Sequence, residues 1–181
     1  LSIHTESNTN DSGGGSLRQA ILDADGSPGP DAIWFNIPGP GVHSIVPLTA
    51  LPPVTDKVSI GGWTQPGYSG TPLIQLDGSG SLAVGLDFQA GGQVGGLDVV
   101  RFTAAGIVIS GAGVTVAHNV IGADPSGAVA MPNGVGVLDE GRNTVIGGPG
   151  VGNVISGNLA DGIVLGGQSS GAVVTQNLMD S

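Results

Sequence analysis

Leu73-Ile-Gln-Leu-Asp77, Val94-Gly-Gly-Leu-Asp98, Val116-Ala-His-Asn119, Gly136-Val-Leu-Asp139, Ile155-Ser-Gly-Asn158 and Val174-Thr-Gln-Asn177 are short apolar segments that each close on Asp or Asn. The closing residues are spaced 21, 21, 20, 19 and 19 apart, and Asp56 extends the series back by a further 21. A second series runs half a period out of phase: Val84-Gly-Leu-Asp-Phe88, Gly106-Ile-Val-Ile109, Thr144-Val-Ile-Gly147 and Gly162-Ile-Val-Leu165. A repeat of about 20 residues made of strands and Gly-rich turns predicts a β-solenoid, in which each coil buries its inward residues against the coils on either side. The spacing places the repeated Asp and Asn at one corner of successive coils, where stacked amides can hydrogen-bond along the axis. The stretch Asp124-Pro-Ser-Gly-Ala-Val-Ala-Met-Pro132 fits the second series poorly and is expected to bulge as a loop.

Upstream of the repeats one segment reads as helix. Ser16-Leu-Arg-Gln19 has the Ser and Gln of a capping box, and Leu17, Ala20, Ile21 and Ala24 follow at the spacing of one apolar helix face. Gly26 and Pro28 stop it. Ala32–Ile37, Ser44–Leu48 and Lys57–Gly61 read as short strands. The chain therefore divides into a cap with the first coils, residues 1–57, and a run of coils, 58–181, forming one continuous domain. The helix is the lid that a solenoid needs over its first coil. No matching lid is visible near residue 181, which predicts that the natural chain continues or that the last coil associates end to end with another copy.

Composition supports an all-β fold. Of 181 residues 21 are Val and 13 Ile, against 2 Glu, 1 Lys and 3 Arg, so β-branched residues replace the straight-chain helix formers. Gly and Pro together number 47 (35 and 12), yet 39% of the chain is hydrophobic, which argues for ordered turns rather than disorder. A net charge of −10 with only four basic residues excludes the Lys/Arg footprint of a nucleic-acid binder. No apolar run approaches the roughly 18 residues of a membrane-spanning helix. With no Cys there is neither a disulfide framework nor a thiolate metal site.

The cap region and the body segments carry a resemblance. Thr9-Asn-Asp-Ser-Gly-Gly-Gly-Ser-Leu-Arg-Gln-Ala-Ile21, followed by Gly29-Pro-Asp-Ala-Ile-Trp-Phe-Asn-Ile37, resembles the N-terminal cap of bacterial right-handed parallel β-helix repeat proteins. Asn119-Val-Ile-Gly-Ala-Asp124, Asn143-Thr-Val-Ile-Gly-Gly148 and Gly152-Asn-Val-Ile-Ser-Gly-Asn158 are similar to their body repeats. The resemblance implies a pectin-lyase-like right-handed β-helix and an extracellular or cell-surface location. It implies no activity, because this fold hosts lyases, hydrolases, adhesins and spacers alike.

Asp77 and Asp98 are expected on adjacent coils, where two carboxylates repel unless one keeps its proton or a cation bridges them. Calcium is the cation such oxygen ligands would take. Polysaccharide lyases of this fold pair Asp-bound calcium with a basic residue, and Arg101 follows Asp98 closely. Asp77, Asp98 and Arg101 are thus the catalytic candidates, with Asp77 and Asp98 the metal candidates. Asp139, Glu140 and Asp161 are the acids available for a hydrolytic pair. Gly61-Gly-Trp-Thr-Gln-Pro-Gly-Tyr-Ser69 is a turn-rich loop whose Trp63 and Tyr68 can either stack on a sugar or anchor the loop to the first coils. His4, His43 and His118 lack metal-ligand spacing, and no nucleophile elbow or phosphate loop is present. The expected function is a non-catalytic extracellular module, a rigid spacer or adhesin-like rod that meets polysaccharide or cell-surface glycan. The alternative is a polysaccharide-active lyase or hydrolase, or a fragment of one.

Overall fold

The computed structural model describes residues 1–180. The chain is mostly β, and its strands form three sheets in which every strand pair is parallel. The first sheet holds seven strands: Ser2–Glu6, Asp31–Phe35, Val58–Gly61, Gly92–Gly95, Val114–Ala117, Val145–Gly147 and Val173–Thr175. The second holds six: His43–Ile45, Ile74–Asp77, Leu97–Val100, Val120–Ile121, Val154–Ser156 and Leu178–Asp180. The third holds four: Val84–Phe88, Ala105–Ile109, Val135–Asp139 and Ile163–Leu165. From Val58 onward the chain visits the three sheets in turn, so each strand pairs with the same sheet's strand from the previous circuit. Parallel strands in stacked sheets, taken in sequence order, are consistent with a β-helix.

The circuit length is where sequence and structure differ. In the first sheet Val58 faces Gly92, 34 residues on, and Gly92 faces Val114, 22 on. In the second, Asp98 faces Val120, 22 on, and Val120 faces Val154, 34 on. In the third, Val84 faces Ala105, 21 on, and Ala105 faces Val135, 30 on. The near-uniform spacing of 19 to 21 between Asp and Asn positions is therefore not the coil repeat. Loops absorb the difference, among them Asp124–Pro132, which leaves the second sheet as expected and closes on an antiparallel bridge between Ala123 and Ala130.

The inward row of each strand makes the core. Ile33, Ile60, Val94 and Val116 of the first sheet, Leu76 and Val99 of the second, and Leu86, Ile107 and Val137 of the third are almost wholly excluded from solvent. Burial of each such side chain contributes about 1.5–3 kcal/mol. One apolar cluster runs from Leu17 to Ile155.

The helix, α1 (Leu17–Asp25), packs over the first two strands of the first sheet and buries Leu17, Ala20, Ile21 and Ala24, the face read from the sequence. Ser16 Oγ accepts the Gln19 N–H at 3.2 Å. The reciprocal half of the capping box is not made, because the Gln19 amide donates to Asp23 Oδ1 at 2.8 Å instead. Arg18 fastens this cap. Its guanidinium donates to the carbonyls of Thr49 and Ala50 at 2.8 and 2.7 Å and to Asp11 Oδ1 at 2.9 Å. Asp11 Oδ1 in turn accepts the Leu48 N–H. Among the described residues no helix is long and apolar enough to cross a membrane.

Amide ladders, rather than one Asp/Asn corner, hold the turns. Asn119, Asn153 and Asn177 stack where the chain passes from the first sheet to the second. Asn153 Oδ1 accepts both the backbone and side-chain N–H of Asn119 at 3.0 Å, and Asn177 Oδ1 does the same for Asn153 at 3.1 and 2.8 Å. Each side chain also donates to a backbone carbonyl of the preceding circuit: Asn119 to Val94, Asn153 to Val116, Asn177 to Ile146. A second ladder joins Asn133 to Asn158 between the second and third sheets, and Asn133 Oδ1 accepts the Phe102 N–H at 3.0 Å. His118 and Gln176, each just before a ladder Asn, take φ of 60° and 55°. That left-handed conformation is uncommon outside Gly and is enforced by the tight corner.

Candidate functional site

Asp77 and Asp98 lie on adjacent strands of the second sheet, as expected, but not side by side. Asp77 faces Val100 across the register, and Asp98 faces Gln75 on one side and Val120 on the other. Inward residues alternate with them, so both acids point out of the sheet. Each is nonetheless buried, by neighbours that lie over that outer face.

Asp77 is committed to Arg101. Nε of Arg101 donates to Asp77 Oδ1 at 2.8 Å and Nη2 donates to Oδ2, a two-pronged ion pair. Asp77 Oδ1 also accepts the Ser79 N–H at 2.8 Å. The hydrogen bond to Asp77 raises the Arg101 pKa further, which is the wrong direction for a base. A guanidinium so held carries its proton at every physiological pH.

Asp98 is the unusual group. It has no solvent exposure, its Oδ2 accepts from Gln75 Nε2 at 2.8 Å, and its Oδ1 has no hydrogen-bond partner. Gln75 is itself oriented by Ser44, whose hydroxyl donates to the amide oxygen at 2.9 Å. Met131, from the Asp124–Pro132 loop, approaches the same amide nitrogen at 4.0 Å. Loss of hydration pushes the Asp98 pKa up to about 7 despite the Gln75 bond, and the charges of Asp124 and Asp77 push the same way. The expected carboxylate repulsion is thus eased by the raised pKa of Asp98 and by Arg101 beside Asp77. Asp124 turns its own carboxylate into its loop, accepting from Ala128 N, Val129 N and Ser126 Oγ, all at 2.9 Å. With both Asp77 oxygens held by Arg101, the pair offers a cation one free oxygen. Among the described residues no group of three His, Cys, Asp or Glu side chains could hold a metal ion.

The hydrolytic candidates do not converge. Asp139 is fully buried and satisfied at its turn by Gly141 N at 2.9 Å, Thr144 Oγ1 at 3.0 Å and Ser169 Oγ at 2.9 Å. Glu140 accepts the Gln168 N–H at 2.9 Å. Asp161 is exposed on the neighbouring circuit.

Trp63 and Tyr68 do come together. The loop leaves the first sheet through a short 3-10 turn, Gly62–Thr64, pinned by Thr64 Oγ1 donating to the Gly61 carbonyl at 2.7 Å. Gln65 is buried beneath it and bonds both N–H and carbonyl of Ile37, at 2.9 and 2.8 Å. The Trp63 indole lies flat over Gly61 and Gly95, where an added Cβ would come within 2.9 and 2.5 Å of ring atoms. Those two glycines belong to one outward row, Trp34–Gly61–Gly95–Ala117. Trp63, Tyr68, Gly70, Gln93 and His118 then line a cleft of about 310 Å³. The loop is thus anchored on the sheet, and its aromatic rings border open space. Gln93 was not legible as a partner, since its place depends on the register of a strand far along the chain.

Glu6 was also missed. It is fully buried opposite Phe35, neither carboxylate oxygen has a hydrogen-bond partner, and burial raises its pKa well above the ordinary value. No signal in the sequence marked it, since Ile3, the apolar residue of Ser2–Glu6, is exposed, and alternation keyed to it would put Glu6 outside. Set against known protein families and curated proteins, the sequence matches none.

Proposed function

We propose that the chain is a right-handed parallel β-helix of the pectin-lyase-like kind and acts as a non-catalytic extracellular module. In this reading it is a rigid scaffold of a secreted or surface protein that presents its outer loops to polysaccharide or cell-surface glycan. The observation that carries the non-catalytic part is the state of the three strongest catalytic candidates. Arg101 is spent on Asp77, and Asp98 is enclosed beneath Gln75 and the Asp124–Pro132 loop. A general base or acid must reach the proton it moves within hydrogen-bond distance of substrate, and the enclosed Asp77 and Asp98 lack that reach, while Arg101, although exposed, is held by Asp77 in its charged form and cannot serve as a base. The β-helix reading is supported by the all-parallel sheets visited in turn, by the amide ladders and by the cap helix with its Ser16-Leu-Arg18 start. The acidic surface, net −10, suits a soluble module and disfavours anionic polymers.

Carbodiimide coupling of an amine to carboxyl groups, read residue by residue by mass spectrometry, tests the enclosure directly. Asp77 and Asp98 are expected to react far more slowly than the exposed Asp161. Labelling of Asp98 at the rate of Asp161 would show that the acid is open to solvent and remove the basis of the reading.

A further inference from the structure

We propose that the cleft bounded by Trp63, Tyr68, Gln93 and His118 binds one pyranose unit of an uncharged glycan. The inference rests on the reading of the chain as an extracellular non-catalytic module, and it names the ligand class of that module.

Four observations lead to it. First, the cleft has the chemistry of a sugar subsite. Two aromatic rings can cover the apolar C–H face of a pyranose, while the Gln93 amide and the His118 imidazole supply donors and acceptors for hydroxyl groups. At about 310 Å³ it lies at the small end of ligand pockets, suited to a single ring rather than an extended ligand. Second, the ring platform is built into the backbone. Gly61 and Gly95 leave the outward row bare where the indole lies, so its position is set by the sheet and not by a free loop. Preorganised rings lose little entropy on binding. Third, His118 reaches the cleft from a left-handed corner, φ 60°, held in place by Asn119 of the amide ladder. The corner, like the one at Gln176 with φ of 55°, thus fixes the backbone from which the imidazole is presented. Fourth, charge chooses among glycans. No Lys or Arg lines the cleft, the Tyr68 pKa is raised by burial so its hydroxyl stays neutral, and the chain carries a net −10. A polyuronate would meet repulsion with no cationic partner; a neutral hexopyranose or pentopyranose chain would not. Trp34, half exposed in the same outward row, extends the aromatic strip one strand further.

The test is calorimetric titration of the whole chain with cellohexaose, mannohexaose, xylohexaose and chitohexaose as neutral probes and hexagalacturonate as the charged one. At least one neutral oligosaccharide is expected to bind saturably and hexagalacturonate is not. Tyr68→Ala and Gln93→Ala are each expected to weaken that binding at least about tenfold, with thermal midpoints close to the parent. Gln93 points outward from a strand, so its truncation leaves the fold intact even where a Trp63 variant would not. No saturable neutral binding, equal or tighter binding of hexagalacturonate, or binding indifferent to both variants would overturn the proposal. So would a concentration-dependent dimer abolished by Trp63→Ala, which would make the cleft a protein contact. The same samples assayed for new reducing ends separate the two readings. Chain cleavage would refute the non-catalytic module while leaving the cleft, and absent binding would refute the cleft while leaving the module.

Discussion

Replacing Asp98 by Asn should stabilise the protein at pH 8 and flatten its pH dependence between 4 and 8. The folded chain holds the Asp98 proton up to about pH 7, against an ordinary value of 3.8. Between those values the folded state binds more protons than the unfolded state, so stability falls as pH rises through the window and is constant on either side. About three units at 1.36 kcal/mol each give a loss of about 4 kcal/mol from pH 4 to pH 8 from this one group. Asn is nearly isosteric and its oxygen can still accept from Gln75 Nε2. Its NH2 takes the place of the unpartnered Oδ1, costing about 1–3 kcal/mol if no acceptor is found. The net gain at pH 8 is therefore about 1–3 kcal/mol, whereas at pH 4, where nothing offsets that cost, the variant should be less stable than the parent by about 1–3 kcal/mol. Glu6, raised by burial in the same direction, leaves a residual slope of the same sign in both proteins. Urea unfolding at pH 4, 6 and 8 with constant m-values would read this out. A variant with the parent's slope, or one less stable than the parent at pH 8, would refute the assignment of a buried, proton-retaining Asp98.

Other substitutions probe the parts that hold the site. Arg18→Ala removes the four hydrogen bonds that tie the cap helix to Asp11, Thr49 and Ala50, and should cost about 2 kcal/mol, a drop of several degrees in thermal midpoint for a chain of this size. Asn153→Ala breaks the middle rung of the first ladder, stranding the Asn119 N–H and the Val116 carbonyl, and should cost about 3 kcal/mol or more; hydrogen exchange at the Asn119 amide should speed up correspondingly. Gly95→Ala drives a methyl group into the Trp63 ring and the Ala117 carbonyl, so it should cost about 1–3 kcal/mol and shift tryptophan fluorescence to the red as the indole lifts.

The cap was the most legible element in the sequence, because a nine-residue helix carries its own period and its own cap: Leu17, Ala20, Ile21 and Ala24 are the buried face, and Ser16 is the N-cap. The strands were legible too, as runs of Val and Ile between glycines. What misled was the spacing of Asp and Asn. Those residues recur at several kinds of corner, since all need short polar side chains near the backbone, and the letters alone do not say which. Asn119 and Asn177 share one ladder, Asn158 belongs to the other, Asp139 caps a turn, and Asp77 and Asp98 lie within strands. Their even spacing is a coincidence of circuits between 21 and 34 residues long. The truer signal was an Asn immediately before an apolar pair, in Asn119-Val-Ile, Asn153-Val-Ile and Asn177-Leu-Met, which marks the first ladder despite its unequal steps. That one acid of the Asp77 and Asp98 pair could keep a proton was legible, but not which one. That depends on Gln75 and the Asp124–Pro132 loop, both distant in sequence and brought over the acid only by the register of the second sheet.

The central claim, that this scaffold presents surfaces and performs no chemistry on the glycans it meets, is tested most directly by measuring new reducing ends. The panel would be pectate, alginate and neutral polysaccharides, each with calcium and with chelator, for the parent and for Asp98→Asn. Lyases and hydrolases both create chain ends, so one readout covers both. The account predicts no release above the protein-free control under any condition. Calcium-dependent release on a uronate polymer, lost in Asp98→Asn, would contradict it and turn the enclosed acids of the second sheet into an active site.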